Sequence, residues 1–451
     1  MPLLRRLAFT ALAMGAVAPV LAQPADLSDE VRASIEARLA VGDQPSIVVG
    51  IVDADGPRVY PFGVLSPADS TAPDANTLYE IGSITKVFTG LLLADAAERG
   101  TLVVDDPVGI LLPDSVQVTD AVSLAHLASH VSGWPRMPTN LGMADPANPY
   151  AAYGADDLHA FLHRLDPAAM PGERYQYSNL GAGLLGHVLA RQAGTSYDAL
   201  VQERIAGPLG LAATSMTPNS ALTLAPGHSG GRQVSKWTFD ALAGAGALLS
   251  TPADLLRLLA AHLDPAGSPL EGAMALATAP RVYTGLASGD SVSVGLGWHD
   301  RQTEAGRIVW HNGGTGGYRS FAGYLPEARR GVVVLTNGDT SVDDLGYHLL
   351  DPSLPLSEIE PVPAVAPEVL AGYVGTYRLA PGVDATITTE YGRLYAQITG
   401  QPAFRIYPRS DARFYYTVVE AEIEFTPVEG GQAPSLTLFQ NGMELPAPRV
   451  E

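Results

Sequence analysis

Ser83 and Lys86 stand three residues apart in the run Tyr79-Glu80-Ile81-Gly82-Ser83-Ile84-Thr85-Lys86. On a helix, positions i and i+3 share a face, so the hydroxyl and the amine can meet. A serine hydroxyl needs a base before it can attack a carbonyl carbon. Lysine can be that base when burial or neighbouring charge lowers its pKa; arginine cannot, because it does not deprotonate. The composition sharpens the point. Of the 27 basic residues only Lys86 and Lys236 are lysine; arginine supplies the rest. A proton-accepting role explains why a lysine is kept at position 86.

Two further stretches could contribute chemistry. Tyr177-Ser178-Asn179 precedes a helical pattern. A phenol near the lysine could relay the Ser83 proton, and Asn179 offers amide donors and an acceptor to a substrate amide. Taken alone, the triplet reads better as a half-buried tyrosine and a helix-capping asparagine. His311-Asn312-Gly313-Gly314-Thr315-Gly316-Gly317 falls between two strand-like runs. Glycines there would let a substrate approach the backbone, with a partly charged imidazole beside it. Taken alone, such a stretch is more often a flexible turn than a site.

The three stretches gain meaning from their order: Ser-x-x-Lys early, Tyr-x-Asn in the middle, His-x-Gly on a late strand. In this the chain resembles the serine β-lactamase and penicillin-binding family, closest to the class C β-lactamase type, over roughly residues 30–350. The segments Leu127 to Gly133 and Gly244 to Thr251 also look like its connecting parts. The resemblance implies an α/β (α+β) serine β-lactamase-like fold: an antiparallel sheet flanked by helices, plus a helical subdomain. It implies Ser83 as acylated nucleophile, with Lys86 and Tyr177 sharing the proton work. Asn179, His311, Gly313 and Gly314 would bind substrate, and the backbone N–H groups of Ser83 and Gly314 would form an oxyanion hole. The family's third motif usually begins with lysine, which binds a substrate carboxylate. His311 in its place would carry a conditional charge across pH 5–8, so carboxylate recognition should weaken as pH rises.

The elements around these motifs follow from patterning. Residues 45–65 read as a hairpin turning at Asp53-Ala54-Asp55-Gly56, and Ser83 to Arg99 as a helix stopped by Gly100. A second helix follows Asn179, and Thr251-Pro252-Ala253-Asp254 caps a third. Arg307–Trp310, Tyr318–Tyr324 and Gly331–Thr336 read as a meander. With the early hairpin it predicts one antiparallel sheet built from both chain ends. Five prolines between Asp351 and Pro367 mark 351–367 as a linker. Residues 368–451 carry short alternating runs that fit a small antiparallel β-barrel, resembling the lipocalin-like barrels appended to some family members.

Met1 to Ala22 has two arginines, an apolar middle and small residues before a cut. It reads as a signal peptide cleaved near Ala22, which leaves a hydrolase domain at 23–350 in a periplasmic or secreted protein. No later stretch is apolar enough to span a bilayer. With 47 acidic against 27 basic residues and a formal charge of -20, the chain would repel nucleic-acid phosphates. Cysteine is absent, which excludes disulfides and thiolate chemistry.

Some patterns mislead. Gly227-His228-Ser229-Gly230-Gly231 matches the nucleophile elbow of α/β-hydrolases, but Pro226 precedes it and no helix signal follows, so it reads as a loop. His126/His130 and His159/His163 have i, i+4 spacing without the glutamate of a metal motif. They are expected to be structural or solvated, and neither metal nor cofactor is expected. The leading expectation is an exported serine acyl-transfer hydrolase of β-lactamase/D-alanyl-D-alanine carboxypeptidase type. Its partner would be a small-molecule or peptide substrate: a β-lactam, a D-amino-acid peptide or an ester. A carboxylesterase of the same fold, a non-catalytic peptidoglycan or β-lactam sensor, and an α/β-hydrolase acting through Ser229 are the alternatives.

Overall fold

The structure is a computed structural model. It describes residues 27–142, 145–166, 169–285, 292–427 and 431–450; the expected signal peptide at 1–22 lies outside the described residues. The helices that frame the site are α1 (Asp29–Val41), α2 (Thr85–Glu98), α3 (Asn179–Ala193), α4 (Pro252–Leu263) and α5 (Asp343–Leu350). The strands of the main sheet are β1 (Ser46–Asp53), β2 (Gly56–Gly63), β3 (Val282–Tyr283), β4 (Val292–Val294), β5 (His299–Thr303), β6 (Gly306–Gly314), β7 (Arg319–Leu325) and β8 (Arg330–Thr336).

These strands form one antiparallel sheet in the order β2-β1-β8-β7-β6-β5-β4-β3. The chain ends meet where β1 pairs with β8, from Ile47 opposite Thr336 to Val52 opposite Gly331. Alternation decides the faces. Ile47, Val49 and Ile51 of β1 pack with Val31 and Ile35 of α1 and Leu345 of α5. Val48 and Val52 point the other way, toward α2 and α4. Both faces are therefore covered, which is why the strands read as nearly unbroken apolar runs.

Twelve of the fourteen residues of α2 are buried, so it is a central helix enclosed all round. It begins after a 3₁₀ turn, Gly82–Ile84, that contains Ser83. Helix α3 is capped by Ser178, whose hydroxyl accepts from Gly181 N–H at 2.9 Å, and ends at Gly194 in the left-handed region. Helix α4 has the expected cap: Thr251 accepts from Asp254 N–H and Pro252 takes the first position. Strand β6 runs four residues past Trp310, so the third motif lies on the strand itself.

The Pro-rich stretch is less of a free linker than its composition predicts. Leu354 and Leu356 pack against the α1/α5 layer, and His348 Nδ1 donates to the Leu354 carbonyl at 2.8 Å. Pro367 opens a short helix, α6 (Pro367–Tyr373), the position where a missing N–H costs nothing. Eight antiparallel strands follow in sequential order: β9 (Gly375–Ala380), β10 (Val383–Glu390), β11 (Arg393–Ile398), β12 (Ala403–Pro408), β13 (Arg413–Tyr415), β14 (Ala421–Phe425), β15 (Ser435–Gln440) and β16 (Met443–Pro448). Past β16, Val450 N–H donates to the Thr376 carbonyl at 2.8 Å, so the sheet nearly closes into a barrel. Tyr377, Ile387, Phe414 and Phe425 fill its interior.

The barrel is fastened to the larger domain by buried polar contacts. Arg405 of β12 pairs with Asp43, at the end of α1, at 2.6 Å, and the Tyr407 hydroxyl reaches the same carboxylate at 2.9 Å. Among the described residues no helix is long and apolar enough to cross a membrane.

Candidate active site

Ser83, Tyr177, Asn179, Gly313 and Gly314 line one cleft of 760 Å³. Residues from three distant parts of the chain therefore converge. Lys86 lies beneath the cleft, fully enclosed, with Nζ 2.9 Å from Ser83 Oγ. The same nitrogen donates to the Ala245 carbonyl at 2.6 Å. Burial and the nearby Arg136 guanidinium hold the Lys86 pKa well below its ordinary value. A neutral amine placed this way spends one N–H on Ala245 and can turn its lone pair to the serine hydroxyl.

Tyr177 sits over this pair. Lys86 Nζ and the Arg136 guanidinium lie 4.9 and 5.0 Å from its ring centre, both within cation–π range. Burial pushes its phenol pKa up, and the Ser83 hydroxyl works against that shift. The phenol therefore stays protonated at neutral pH and can relay a proton. His130 holds the tyrosine from behind. Its carbonyl accepts from Gln176 N–H at 2.8 Å, its Nδ1 accepts from Ser178 N–H at 3.2 Å, and its ring packs 4.5 Å from that of Tyr177. His130, one of the spacing decoys, is thus a buried structural histidine with φ at 60°. His159 meets His187 of α3, not His163, with Nε2 atoms 3.3 Å apart. Among the described residues no cluster of three or more metal-type ligands occurs.

Asn179 donates from Nδ2 to the Tyr150 hydroxyl at 3.1 Å. Its Oδ1 is buried without a partner, an acceptor left for an incoming N–H. Gly313 and Gly314 line the cleft, and Gly313 also meets a packing constraint. A Cβ on Gly313 would lie 2.0 Å from the Ile81 carbonyl, and one on Gly82 would lie 2.6 Å from Gly314 N. The space is taken by the protein's own nucleophile turn, pressed onto β6. Gly82 is left-handed at φ 50°, which turns the chain there. This contact sets the backbone of Ser83 beside that of Gly314.

His311 departs from expectation. It is 0% exposed, and its ring faces Tyr177 and His299, with centroids 6.2 and 5.0 Å away. Burial, with His299 and Lys86 adding to it, holds its pKa well below the ordinary value. Nδ1 donates to the Asn312 carbonyl at 2.6 Å, so Nε2 carries the lone pair. His311 is therefore a neutral acceptor behind Tyr177, not a conditional cation meeting a carboxylate. The physical reason is the strand's alternation: residue 311 points into the core, and the side chain of Asn312 goes to the other face, donating to Asp343 at 2.6 Å.

The cations that do line the cleft are Arg136 and Arg319. Arg319 lies opposite Gly314 in the β6–β7 register and is braced by the carbonyls of Thr315 and Tyr318 at 2.8 Å each. Tyr150 and Trp237 complete an aromatic wall, with ring centroids 5.4 Å apart. The motifs do not announce these four residues. The one sequence signal near them is Lys236, the second lysine, which donates to the Trp237 carbonyl at 3.1 Å.

Comparison with known proteins agrees with this geometry. The Beta-lactamase family matches residues 31–350, and a domain of unknown function, DUF3471, matches residues 360–447. Penicillin-binding protein 4* of Bacillus subtilis (strain 168) is 27% identical over 87% of this chain and 92% of its own length. A Beta-lactamase of Escherichia coli (strain K12) is 26% identical over 72% of this chain and 93% of its own. D-alanyl-D-alanine-carboxypeptidase/endopeptidase AmpH of the same strain is 25% identical over 63% of this chain and 77% of its own. A match across most of the chain, with three motifs meeting in one cleft, establishes that the chain belongs to the Beta-lactamase family of serine hydrolases.

Proposed function

We propose that this chain is an exported acyl-transfer hydrolase acting on β-lactams or D-alanyl peptides through an acyl-enzyme on Ser83. The observation that carries the reading is the enclosed Lys86 amine 2.9 Å from Ser83 Oγ. Ser83 Oγ attacks the carbonyl carbon as its proton passes to Lys86, directly or through the Tyr177 hydroxyl. The backbone N–H groups of Ser83 and Gly314 hold the oxyanion, worth about 3–4 kcal/mol per donor in comparable sites. The C–N bond breaks and the leaving nitrogen takes the proton. Water then attacks the acyl carbon and gives a proton to the same groups; the bond from the acyl carbon to Ser83 Oγ breaks, and Oγ takes that proton back. Asn179 Oδ1 accepts from the substrate amide, and the enclosed His311 ring packs beside Tyr177.

The proposal places the hydrolase unit at 23–350, the Pro-rich connection at 351–367 and the barrel at 368–451, with the signal peptide removed near Ala22. An ester substrate is a second reading. The neutral, buried His311 favours it, because the third motif then supplies no cation for a carboxylate. Labelling with a fluorescent penicillin and with a fluorophosphonate, followed by mapping of the modified peptide, tests both. Label on Ser83 from both reagents is expected. Label from the fluorophosphonate alone selects the esterase. Modification of Ser229, or no covalent label from either reagent, overturns the assignment.

A further inference from the structure

The Gly227–Ser229 and Arg232–Val234 strands form a hairpin with three residues on each side. An isolated two-stranded hairpin of this size is not stable in water. This one is held on two faces by different parts of the molecule.

The barrel grips the tip. The Tyr395 hydroxyl donates to the Gly230 carbonyl at 3.1 Å, and Arg393 Nη1 donates to the Gly231 carbonyl at 3.0 Å. Arg232 pairs with Glu390 at 2.9 Å and stacks 3.6 Å over the Tyr395 ring. The fit leaves no room: a Cβ on Gly231, itself at φ 77°, would lie 2.9 Å from the Arg393 guanidinium.

The other face rests against the glycine run that follows the third motif. His228 N–H donates to the Gly317 carbonyl at 3.2 Å, and a Cβ on Gly317 would lie 2.7 Å from His228 N. The Tyr318 hydroxyl donates to the Ala225 carbonyl at 2.6 Å. Three residues past the hairpin stands Trp237, in the wall of the cleft. Its N–H donates to Glu80 Oε1 at 2.8 Å, and its indole Nε1 would lie 2.7 Å from a Cβ on Gly316. Glu80 in turn precedes Ser83 by three residues. A continuous set of close contacts thus runs from barrel to hairpin to cleft wall.

The geometry points to the barrel as a positioning element of the cleft: through Arg232 and Tyr395 it clamps the hairpin, and the hairpin braces the glycine run at Gly317 and fixes Trp237 in the cleft wall. Arg232 is the positioning residue; it touches no substrate and acts through Trp237. The inference rests on the cleft being the substrate site. Small displacements of such a wall weaken productive binding while leaving the nucleophile and its base in place.

The test uses the full chain and two barrel contacts of similar kind. Arg232→Ala removes the pairing with Glu390 and the stacking on the Tyr395 ring, and Tyr395→Phe removes the hydroxyl that bonds the Gly230 carbonyl. Tyr407→Phe removes a hydroxyl from the Asp43 contact, which does not touch the hairpin. Arg232→Ala should raise KM about tenfold with kcat within about twofold. Tyr395→Phe should shift KM the same way by less, and Tyr407→Phe should leave it unchanged. Acrylamide quenching of Trp237, taken as the difference from Trp237→Phe, should rise in the same order. This second readout needs no turnover, so it separates failure of the inference from failure of the functional reading. Wild-type KM and quenching in Arg232→Ala overturn the inference, and so does a Tyr407→Phe effect as large as that of Tyr395→Phe.

Discussion

Ser83 and Ser229 each adjoin a glycine at a sharp turn, and each has an ionisable side chain within hydrogen-bond reach. Their surroundings differ in ways that decide reactivity. Ser83 meets an amine at 2.9 Å whose pKa burial has lowered, and its hydroxyl opens on a 760 Å³ cleft. Ser229 donates to Asp339 Oδ2 at 2.6 Å, ends a three-residue strand and turns back through Gly230-Gly231 into another strand. No helix N-terminus follows it to supply oxyanion donors. A nucleophile needs a base, an oxyanion site and room for substrate together; Ser229 lines a 540 Å³ cavity and meets a carboxylate, but it lacks the helix N-terminus that would hold an oxyanion.

The largest effect should separate these two serines. Ser83→Ala should reduce kcat by about a million-fold, down to background, with the fold intact by circular dichroism. Ser229→Ala should keep kcat within about twofold and cost on the order of 1–2 kcal/mol of stability, for one lost hydrogen bond to a charged group. Loss of turnover in Ser229→Ala with activity kept in Ser83→Ala would reverse the comparison. The Lys86 partner sharpens it next. Lys86→Arg keeps positive charge and removes the proton acceptor, so it should be nearly as damaging as Lys86→Ala. Retention of more than about a tenth of kcat/KM would show that charge alone suffices.

The contrast also shows what could be read without the fold. The i, i+3 spacing of Ser83 and Lys86 survives folding because both lie on consecutive turns of one local segment. The meander and the hairpin were legible because short apolar runs bounded by turn residues mark strands buried on both faces. The unexpected parts are set by register and by long-range packing. Arg136 and Arg319 are two among many arginines, and only the β6–β7 register sets Arg319 opposite Gly314. The inward direction of His311 depends on strand parity, which changes with a one-residue shift in where the strand begins. The hairpin at Gly227 has too few residues for a strand pattern, because its stability comes from the barrel and the glycine run on either side.

A smaller effect concerns pH. With His311 enclosed and neutral, a carboxylate substrate and its matched neutral ester should show parallel kcat/KM profiles from about pH 6 to 8. Both should lose activity as pH falls through the Lys86 titration, because the protonated amine cannot accept from Ser83. The carboxylate preference itself should fall in Arg319→Ala, seen in KM. A limb near the ordinary histidine pKa of about 6.5 on the carboxylate substrate alone would return His311 to a charged role.

The smallest effect is thermodynamic, and it opposes the catalytic one. Lys86 is fully enclosed, and burial with the nearby Arg136 guanidinium lowers its pKa in the folded state. The unfolded chain therefore binds a proton that the native chain resists, and stability rises with pH up to the unfolded lysine value of about 10.4. Lys86 thus destabilises the fold most at low pH and ceases to do so above that value. Lys86→Met keeps an unbranched side chain of similar volume and removes the amine, so it should stabilise the protein by about 1 kcal/mol at pH 7 while abolishing turnover. Between pH 7 and pH 9.5 the difference should move toward the wild type by up to about 3 kcal/mol, enough to reverse the gain, because the wild-type penalty fades by about 1.4 kcal/mol per pH unit on the way to about 10.4. Urea unfolding of both proteins at the two pH values measures this. Every other titrating group is shared, so the difference between the curves isolates Lys86. A Lys86→Met variant less stable than wild type at pH 7, or a difference that does not move toward the wild type, would mean that the amine is held in its charged form by the Ala245 carbonyl and Ser83.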